Sequence, residues 1–136
     1  MRDTDERTAL EKEEEEPQTR HPMKNMICNV YLTGSSGQSF GMFYFGKDFF
    51  VGADIGGIKY DGTFVQQQDG SLEGTVKFVI PAGTQLITGM AAGSEPQQVA
   101  GPLNLPKDFA TSNSIVRIDT PAGPVMARFE MLREVP

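Results

Sequence analysis

The segment GADIGGIKYDG, at positions 52–62, is rich enough in glycine to suggest a phosphate-binding loop. Such loops place their glycines between a strand and a helix, with a GxGxxG spacing or a terminal Lys-Ser/Thr pair. Neither spacing occurs here, and the glycines lead into another alternating pattern that is typical of a strand. We therefore interpret the segment as a strand, a turn and a second strand, in which Asp54 and Asp61 make local hydrogen bonds.

Side chains that bind metals or act as nucleophiles are scarce. His21 is the only histidine and Cys28 the only cysteine, so the domain that follows residue 25 contains no histidine for a Ser-His-Asp or Cys-His arrangement. The aspartates do not match the spacing of an EF-hand. No carboxylate pair is set up for acid–base catalysis, although that alternative stays open. We expect Cys28 to be a small buried apolar residue, with a reactive thiol as the alternative. The sequence thus predicts no enzyme, no metal and no cofactor.

Charge divides the chain into two parts. Residues 1–25 carry eight of the 18 acidic and five of the 12 basic side chains of the 136-residue chain, with almost no apolar residues. Such a segment cannot bury enough apolar surface to offset the entropy of ordering it. We predict a disordered, acidic N-terminal tail at 1–25, dispensable for folding, and one domain at 26–136. Met23 and Met26 leave open whether the tail is functional or an upstream extension of the gene.

Net charge and hydropathy restrict the partners and the compartment. The formal net charge of −6 argues against binding to nucleic acids, which requires a basic surface. No apolar run is long enough for a transmembrane helix, and the N-terminus lacks the pattern of a signal peptide. A single cysteine cannot form an internal disulfide. We therefore expect a cytoplasmic protein that binds neither nucleic acid nor membrane.

The clearest structural pattern is a β-hairpin over residues 57–82. Apolar residues and glycines occupy the even positions of both arms, which is the period of half-buried strands. A two-residue turn at 69–70 would put the two apolar sets on opposite faces, whereas a three-residue loop with Gly70 in the left-handed conformation aligns them. The predicted cross-strand pairs are Phe64 with Gly74, Tyr60 with Phe78, Asp61 with Lys77, and Thr63 with Thr75. The predicted interior residues are Tyr60, Phe64, Val76 and Phe78.

Further strand-like segments follow one another at the roughly 8–12-residue spacing of all-β domains. They cover residues 27–33, 39–45, 49–53, 57–67, 72–80, 97–100, 114–120 and 124–133. The interval 84–111 is otherwise irregular, with a short helical turn near 106–110. Short connections favour an antiparallel meander, and a meander of about eight strands closes into a barrel to remove its edges. The predicted fold is therefore all-β, a small antiparallel meander β-barrel, with a sandwich as the alternative.

The segment FGMFYFGKDFFV, residues 40–51, is apolar at both odd and even positions. One set contains Phe43 and Phe49, and the other contains Tyr44 and Phe50. A barrel hairpin needs only one apolar face, so the second face must be covered by the loop 84–111 or must form an interface. We predict a homodimer with either Tyr44 and Phe50, or Phe43 and Phe49, at the interface, and leave open which face is buried.

The segment SFGMFYFGKDFFVGADIGGIKYDGTFVQQQDGSLEGTVKF resembles the GrlR-like family of negative regulators of type III secretion. The similarity lies in a glycine-rich hairpin followed by a GxDxGxxYxGxY pattern, which this chain matches with one additional residue after the aspartate and with phenylalanine at the last aromatic position. The matching residues are Gly52, Asp54, Gly57, Tyr60, Gly62 and Phe64. This resemblance implies a lipocalin-like (calycin-type) barrel that acts by binding a regulatory protein, often as a dimer. It assigns no partner-contact residue and covers about forty residues.

Two function classes follow from these observations. The first is a non-enzymatic cytoplasmic barrel that binds a protein partner of unknown identity as a regulator. The second is a barrel that encloses a small apolar ligand, since barrels of this size can hold one. The interior distinguishes the two. Aromatic residues that fill the barrel would leave no cavity, whereas a connected void lined by them favours a ligand.

Overall fold

The computed structural model describes residues 23–136, which form an all-β fold. Seven of its eight strands agree closely with the predicted segments, whereas β6 continues five residues beyond the predicted 97–100, through Gly101 and Pro102. These two residues do not end the strand because it pairs with β5 on one side only. Their bounds are β1 Met26–Gly34, β2 Gly37–Phe45, β3 Phe49–Asp54, β4 Lys59–Gln66, β5 Leu72–Ile80, β6 Gln97–Leu105, β7 Ile115–Thr120 and β8 Gly123–Glu134. The prediction of a disordered tail falls almost wholly on residues 1–22, which lie outside the described residues.

All eight strands belong to one antiparallel sheet in the order β6-β5-β4-β3-β2-β1-β8-β7. The first six form a meander, and the β7–β8 hairpin adds to the free side of β1. The edge strands β6 and β7 contact each other, so the sheet curls into a nearly closed barrel. The predicted barrel is confirmed over the predicted sandwich. Residues 106–112 form consecutive hydrogen-bonded turns, with Phe109 N–H donating to Pro106 O at 3.2 Å.

The β4–β5 hairpin has the predicted register. Phe64 lies opposite Gly74 and Tyr60 opposite Phe78, and the polar pairs follow in the same register. Gln67 N–H donates to Ser71 O at 2.7 Å, which closes a loop of three residues, 68–70. Gly70 has a φ of 90°, the left-handed conformation that such a loop requires. The period-2 pattern and the turn residues were therefore sufficient to fix this hairpin.

In the β2–β3 hairpin, the side chains that share a face are not the ones that were predicted to do so. Phe45 pairs with Phe50, and the four residues between them switch the inward positions from odd numbers in β2 to even numbers in β3. Phe43, Phe45 and Phe50 consequently point inward and are 5%, 1% and 2% exposed. The prediction that Tyr44 shares a face with Phe50, and Phe43 with Phe49, was wrong because it carried one parity through the turn.

Glycines in the central strands make room for these inward rings. A Cβ atom on Gly52 would collide with the Phe43 ring, and one on Gly62 would collide with the Phe50 ring. The two rings stack with their centroids 5.9 Å apart. Close approach of an aromatic ring to a bare backbone explains why these strand positions are glycine.

The core is densest at one end of the barrel, which we call the lower end. The turns 46–48 and 67–71 and the connection 106–114 all lie there, because β2, β4 and β6 end where β3, β5 and β7 begin. Phe109 packs against Phe45 and Phe129, with both centroid distances 5.2 Å. Met131 N–H donates to Ala110 O at 3.0 Å and ties this connection to β8. The lower end is thus closed by aromatic packing.

Candidate functional site

The opposite, upper end of the barrel carries the turns 35–36, 55–58 and 121–122 and the long connection 81–96. Within that connection, residues 84–92 form a small hairpin, which we call the cap hairpin. Its arms are joined by bonds from Leu86 N–H to Met90 O at 2.9 Å and from Ala92 N–H to Thr84 O at 2.8 Å. Gly89, with a φ of 100°, forms its tip.

The cap hairpin folds over the barrel mouth and not over the outer sheet face. Ser36 N–H donates to Ile87 O at 2.7 Å, and the Ser35 hydroxyl donates to Thr88 O at 2.9 Å, so the hairpin is fixed to the β1–β2 turn. Leu86 is 8% exposed and its side chain belongs to the buried interior. The loop 84–111 was expected to cover the outer aromatic face. Its cap hairpin instead covers the mouth of the barrel.

Between the cap hairpin and the lower core lies a cavity of about 320 Å³. Its walls are mainly apolar. The lining residues deep in the barrel include Val30, Leu32, Phe43, Phe45, Phe50, Val76, Phe78, Leu103, Ile118, Val125 and Phe129. Toward the mouth the lining becomes mixed, with Gln38, Ser39, Asp54, Ile55, Ile58, Tyr60, Thr84, Gln85, Leu86, Ile87, Thr88 and Thr120. The cavity thus has an apolar interior and a polar rim.

The predicted interior residues lie in two places. Tyr60 and Phe78, partly buried and packed against the core, line the cavity together with the buried Val76. Phe64 is 4% exposed and belongs to the core, but it does not line the cavity. The aromatic residues at the lower end fill that half of the barrel, whereas those at the upper end surround open space.

Asp54 is the only charged residue that lines this cavity in the described part of the chain. Its Oδ1 accepts hydrogen bonds from the N–H groups of Gly56 and Ile58 at 2.9 and 3.1 Å, and its Oδ2 accepts one from the Tyr60 hydroxyl at 2.7 Å. Burial, together with this hydrogen bond and the carboxylate charge, raises the pKa of Tyr60 far above its usual value. Asp54 therefore stabilises the turn, as predicted, and also fixes the Tyr60 ring at the cavity wall.

Two side-chain hydroxyls of the cavity lining have no hydrogen-bond partner among the described residues. Both Ser39 Oγ and Thr88 Oγ1 are buried. Ser39 lies on β2, two residues before the inward-facing Gly41, and Thr88 lies on the cap hairpin. Leaving a buried hydroxyl unpaired costs about 1–3 kcal/mol, so such groups are uncommon in folded proteins.

The predicted interface residues are divided between two surfaces. Phe43 and Phe50 line the cavity and cannot contact a partner without unfolding. Tyr44 and Phe49 lie on the outer face, where their rings are 6.0 Å apart. Phe49, the neighbouring Val51 and Met42 are 40%, 42% and 51% exposed. We call Met42, Tyr44, Phe49 and Val51 the outer patch.

Other chemistry has little support in residues 23–136. No group of three His, Cys, Asp or Glu residues there is placed to hold a metal ion, and these residues contain no helix that is long and apolar enough to cross a membrane. Cys28 is 0% exposed, and burial raises its pKa to about 12, which makes its thiol inert. The interpretation of Cys28 as a small buried apolar residue is confirmed.

The cap hairpin is the part of the site that sequence reasoning missed. The run Leu86-Ile87 between glycines was a usable signal, because two adjacent large apolar residues in a loop indicate burial. No protein-family model, no curated protein and no solved structure matches this chain significantly. The resemblance to GrlR-like regulators therefore stays a hypothesis, and the function must be argued from the barrel itself.

Proposed function

We propose that this barrel binds a small, largely apolar molecule in its upper cavity. The single observation that carries this proposal is the cavity of about 320 Å³, at the lower limit of the roughly 300–1,000 Å³ typical of small-molecule sites. Folded proteins close-pack their interiors and contain few voids larger than a water molecule. The cavity opens at its mouth, and its apolar walls favour an apolar ligand over water.

The cavity's surroundings support the same function. Aromatic and aliphatic walls give affinity through burial of apolar surface. A few polar groups at one end can orient a ligand that enters from that side. The closed lower end, with Phe109 between Phe45 and Phe129, gives the ligand a floor.

The test is fluorescence titration with 1-aminoanthracene, a neutral probe that brightens in apolar surroundings. We expect saturable binding with one site per chain. Val125→Phe places a ring in the cavity and should weaken binding at least tenfold, whereas Val65→Phe, on an exposed strand position, should not. Circular dichroism verifies that both variants fold. Absence of saturable binding to the wild-type chain, or equal binding by Val125→Phe, would contradict the proposal.

The outer patch supports a second candidate function, binding of a protein partner, with a second copy of this chain as the partner we propose. Three of its side chains are at least 40% exposed and sit beside Tyr44 on adjacent strands. Monomers rarely leave large apolar side chains grouped on their surface, and a self-complementary patch closes after one twofold contact. A regulator of the kind that the sequence resemblance implies would use such a surface.

Light scattering at micromolar concentration tests this second candidate. We expect the mass of a dimer, and a monomer for the double variant Tyr44→Ser/Phe49→Ser. The matched control is Ile115→Ser/Leu132→Ser, which removes exposed apolar side chains elsewhere, at 69% and 50% exposure, and should stay dimeric. A monomeric wild-type mass would exclude self-association through the outer patch.

A further inference from the structure

We propose that the ligand of the upper cavity is a neutral amphipathic molecule, an apolar body with an uncharged polar head group, and that the barrel selects against carboxylates. This inference rests on the proposed binding function and specifies the chemical class of the ligand. It follows from two features of the rim: its lining mixes polar and apolar side chains, and its single charge is negative.

The charge at the rim is negative. Asp54 faces inward at the end of β3, and every other residue that lines the cavity is uncharged. A carboxylate head group that enters through the mouth would approach this half-buried carboxylate, and like charges at close range repel. The turn that follows, residues 55–58, contains no basic side chain that could compensate the charge of Asp54.

Asp54 also has little capacity to bind a cation. Its two oxygens already accept three hydrogen bonds, from Gly56 N–H, Ile58 N–H and the Tyr60 hydroxyl. A cationic head group would have to compete with donors that hold the turn together. The carboxylate therefore selects against anions without forming a built site for cations.

The size of the cavity sets the length of the ligand. At about 320 Å³ it accommodates roughly ten groups of water size. An alcohol of about eight carbons fits this volume, so 1-octanol and octanoate are matched probes that differ mainly in the head group.

The experiment is competition of 1-octanol and of octanoate, at pH 7, against 1-aminoanthracene bound to the full chain. We expect 1-octanol to bind at least tenfold more tightly than octanoate. Equal affinities, tighter binding of octanoate, or failure of both to displace the bound dye would overturn this inference while leaving the proposed binding function intact. If the dye itself does not bind, the proposed function fails first.

A charge variant tests the role of the rim. Ile55→Lys adds a cation at the mouth on a side chain that is 77% exposed, and should shift the affinity ratio about fivefold toward octanoate. Val65→Lys makes the same charge change at a position that is 66% exposed and away from the cavity, and should leave the ratio unchanged. An unchanged ratio in Ile55→Lys would contradict selection by charge at the rim.

Discussion

Cys28 gives the most direct test of the interior at the scale of a single residue. Its side chain is fully buried on β1, and burial raises the pKa of the thiol from 9.0 to about 12. Because the thiolate is the reactive form, we expect no reaction with 5,5′-dithiobis(2-nitrobenzoate) at pH 8 in the native state and complete reaction in guanidinium chloride. Native-state reaction at the unfolded rate would mean that β1 is accessible.

The same shift in the Cys28 pKa makes stability depend on alkaline pH. Between pH 9 and 12 the folded state retains a proton that the unfolded state has lost, so the free energy of unfolding falls as pH rises. The slope is at most about 1.4 kcal/mol per pH unit from one group. Tyr60, whose pKa is also raised, acts in the same direction. Urea titrations of Cys28→Ala should give a shallower slope than the wild type, and identical slopes would contradict this assignment.

At the scale of elements, the β4–β5 hairpin requires glycine, which has no side chain, at position 74. A Cβ atom at Gly74 would meet the Thr63 carbonyl oxygen and the Phe64 backbone across the strand pair. We expect Gly74→Val to lower the free energy of unfolding by about 1–3 kcal/mol, because the strands cannot stay paired at their present distance.

Thr75→Val is the matched control for this prediction. It introduces the same side chain at the next residue, which is exposed on the outer face. Urea unfolding of both variants measures the difference. If Gly74→Val is as stable as Thr75→Val, the register of this hairpin in solution is not the one described.

The two hairpins show how far pattern alone predicts an element. In β4 and β5, apolar and polar residues alternate regularly on both sides of an Asp-Gly turn. The register and the loop length could therefore both be predicted. In β2–β3 both parities were apolar, so the pattern contained no information on the face, and the turn 46–49 decided it. The burial of the cap hairpin had a local signal in Leu86-Ile87, but its position over the barrel mouth had none, because its hydrogen bonds to Ser35 and Ser36 join parts of the chain that no local pattern relates.

At the scale of the whole molecule, the proposed binding site results from an uneven distribution of large side chains along the barrel axis. Three aromatic rings, from Phe45, Phe109 and Phe129, meet at the lower end and fill it. Nearer the upper end, the rings of Phe43, Tyr60 and Phe78 contact one another but line the cavity and leave it open. The cap hairpin covers the mouth without filling the cavity. The strands could be predicted one by one, whereas the cavity depends on how all of them close around a common axis, and that closure is not local in sequence.

The closure itself has one weak line, the seam between β6 and β7. These strands lie side by side, and a Cβ atom on Gly101 would be 3.7 Å from the Asp119 carbonyl oxygen, yet no backbone ladder joins them in the described part of the chain. Pro102, which has no N–H group, suits such an edge position in β6. The amide groups that point into the seam have no strand partner, so their hydrogens can exchange through local openings that leave the rest of the sheet intact.

Native-state hydrogen exchange followed by NMR measures this difference. We expect the amides of β1, which is paired on both sides with β2 and β8, to exchange only through global unfolding. The amides of β6 and β7 that face the seam should exchange at least a hundredfold faster, whereas those that bond to β5 and β8 stay protected. Binding of 1-octanol should slow exchange of the amides that exchange through global unfolding, such as those of β1, by the factor by which it stabilises the folded state, because a ligand that binds only the folded state lowers the population of the unfolded chain. Protection in the seam equal to that in β1 would show that the barrel closes fully in solution.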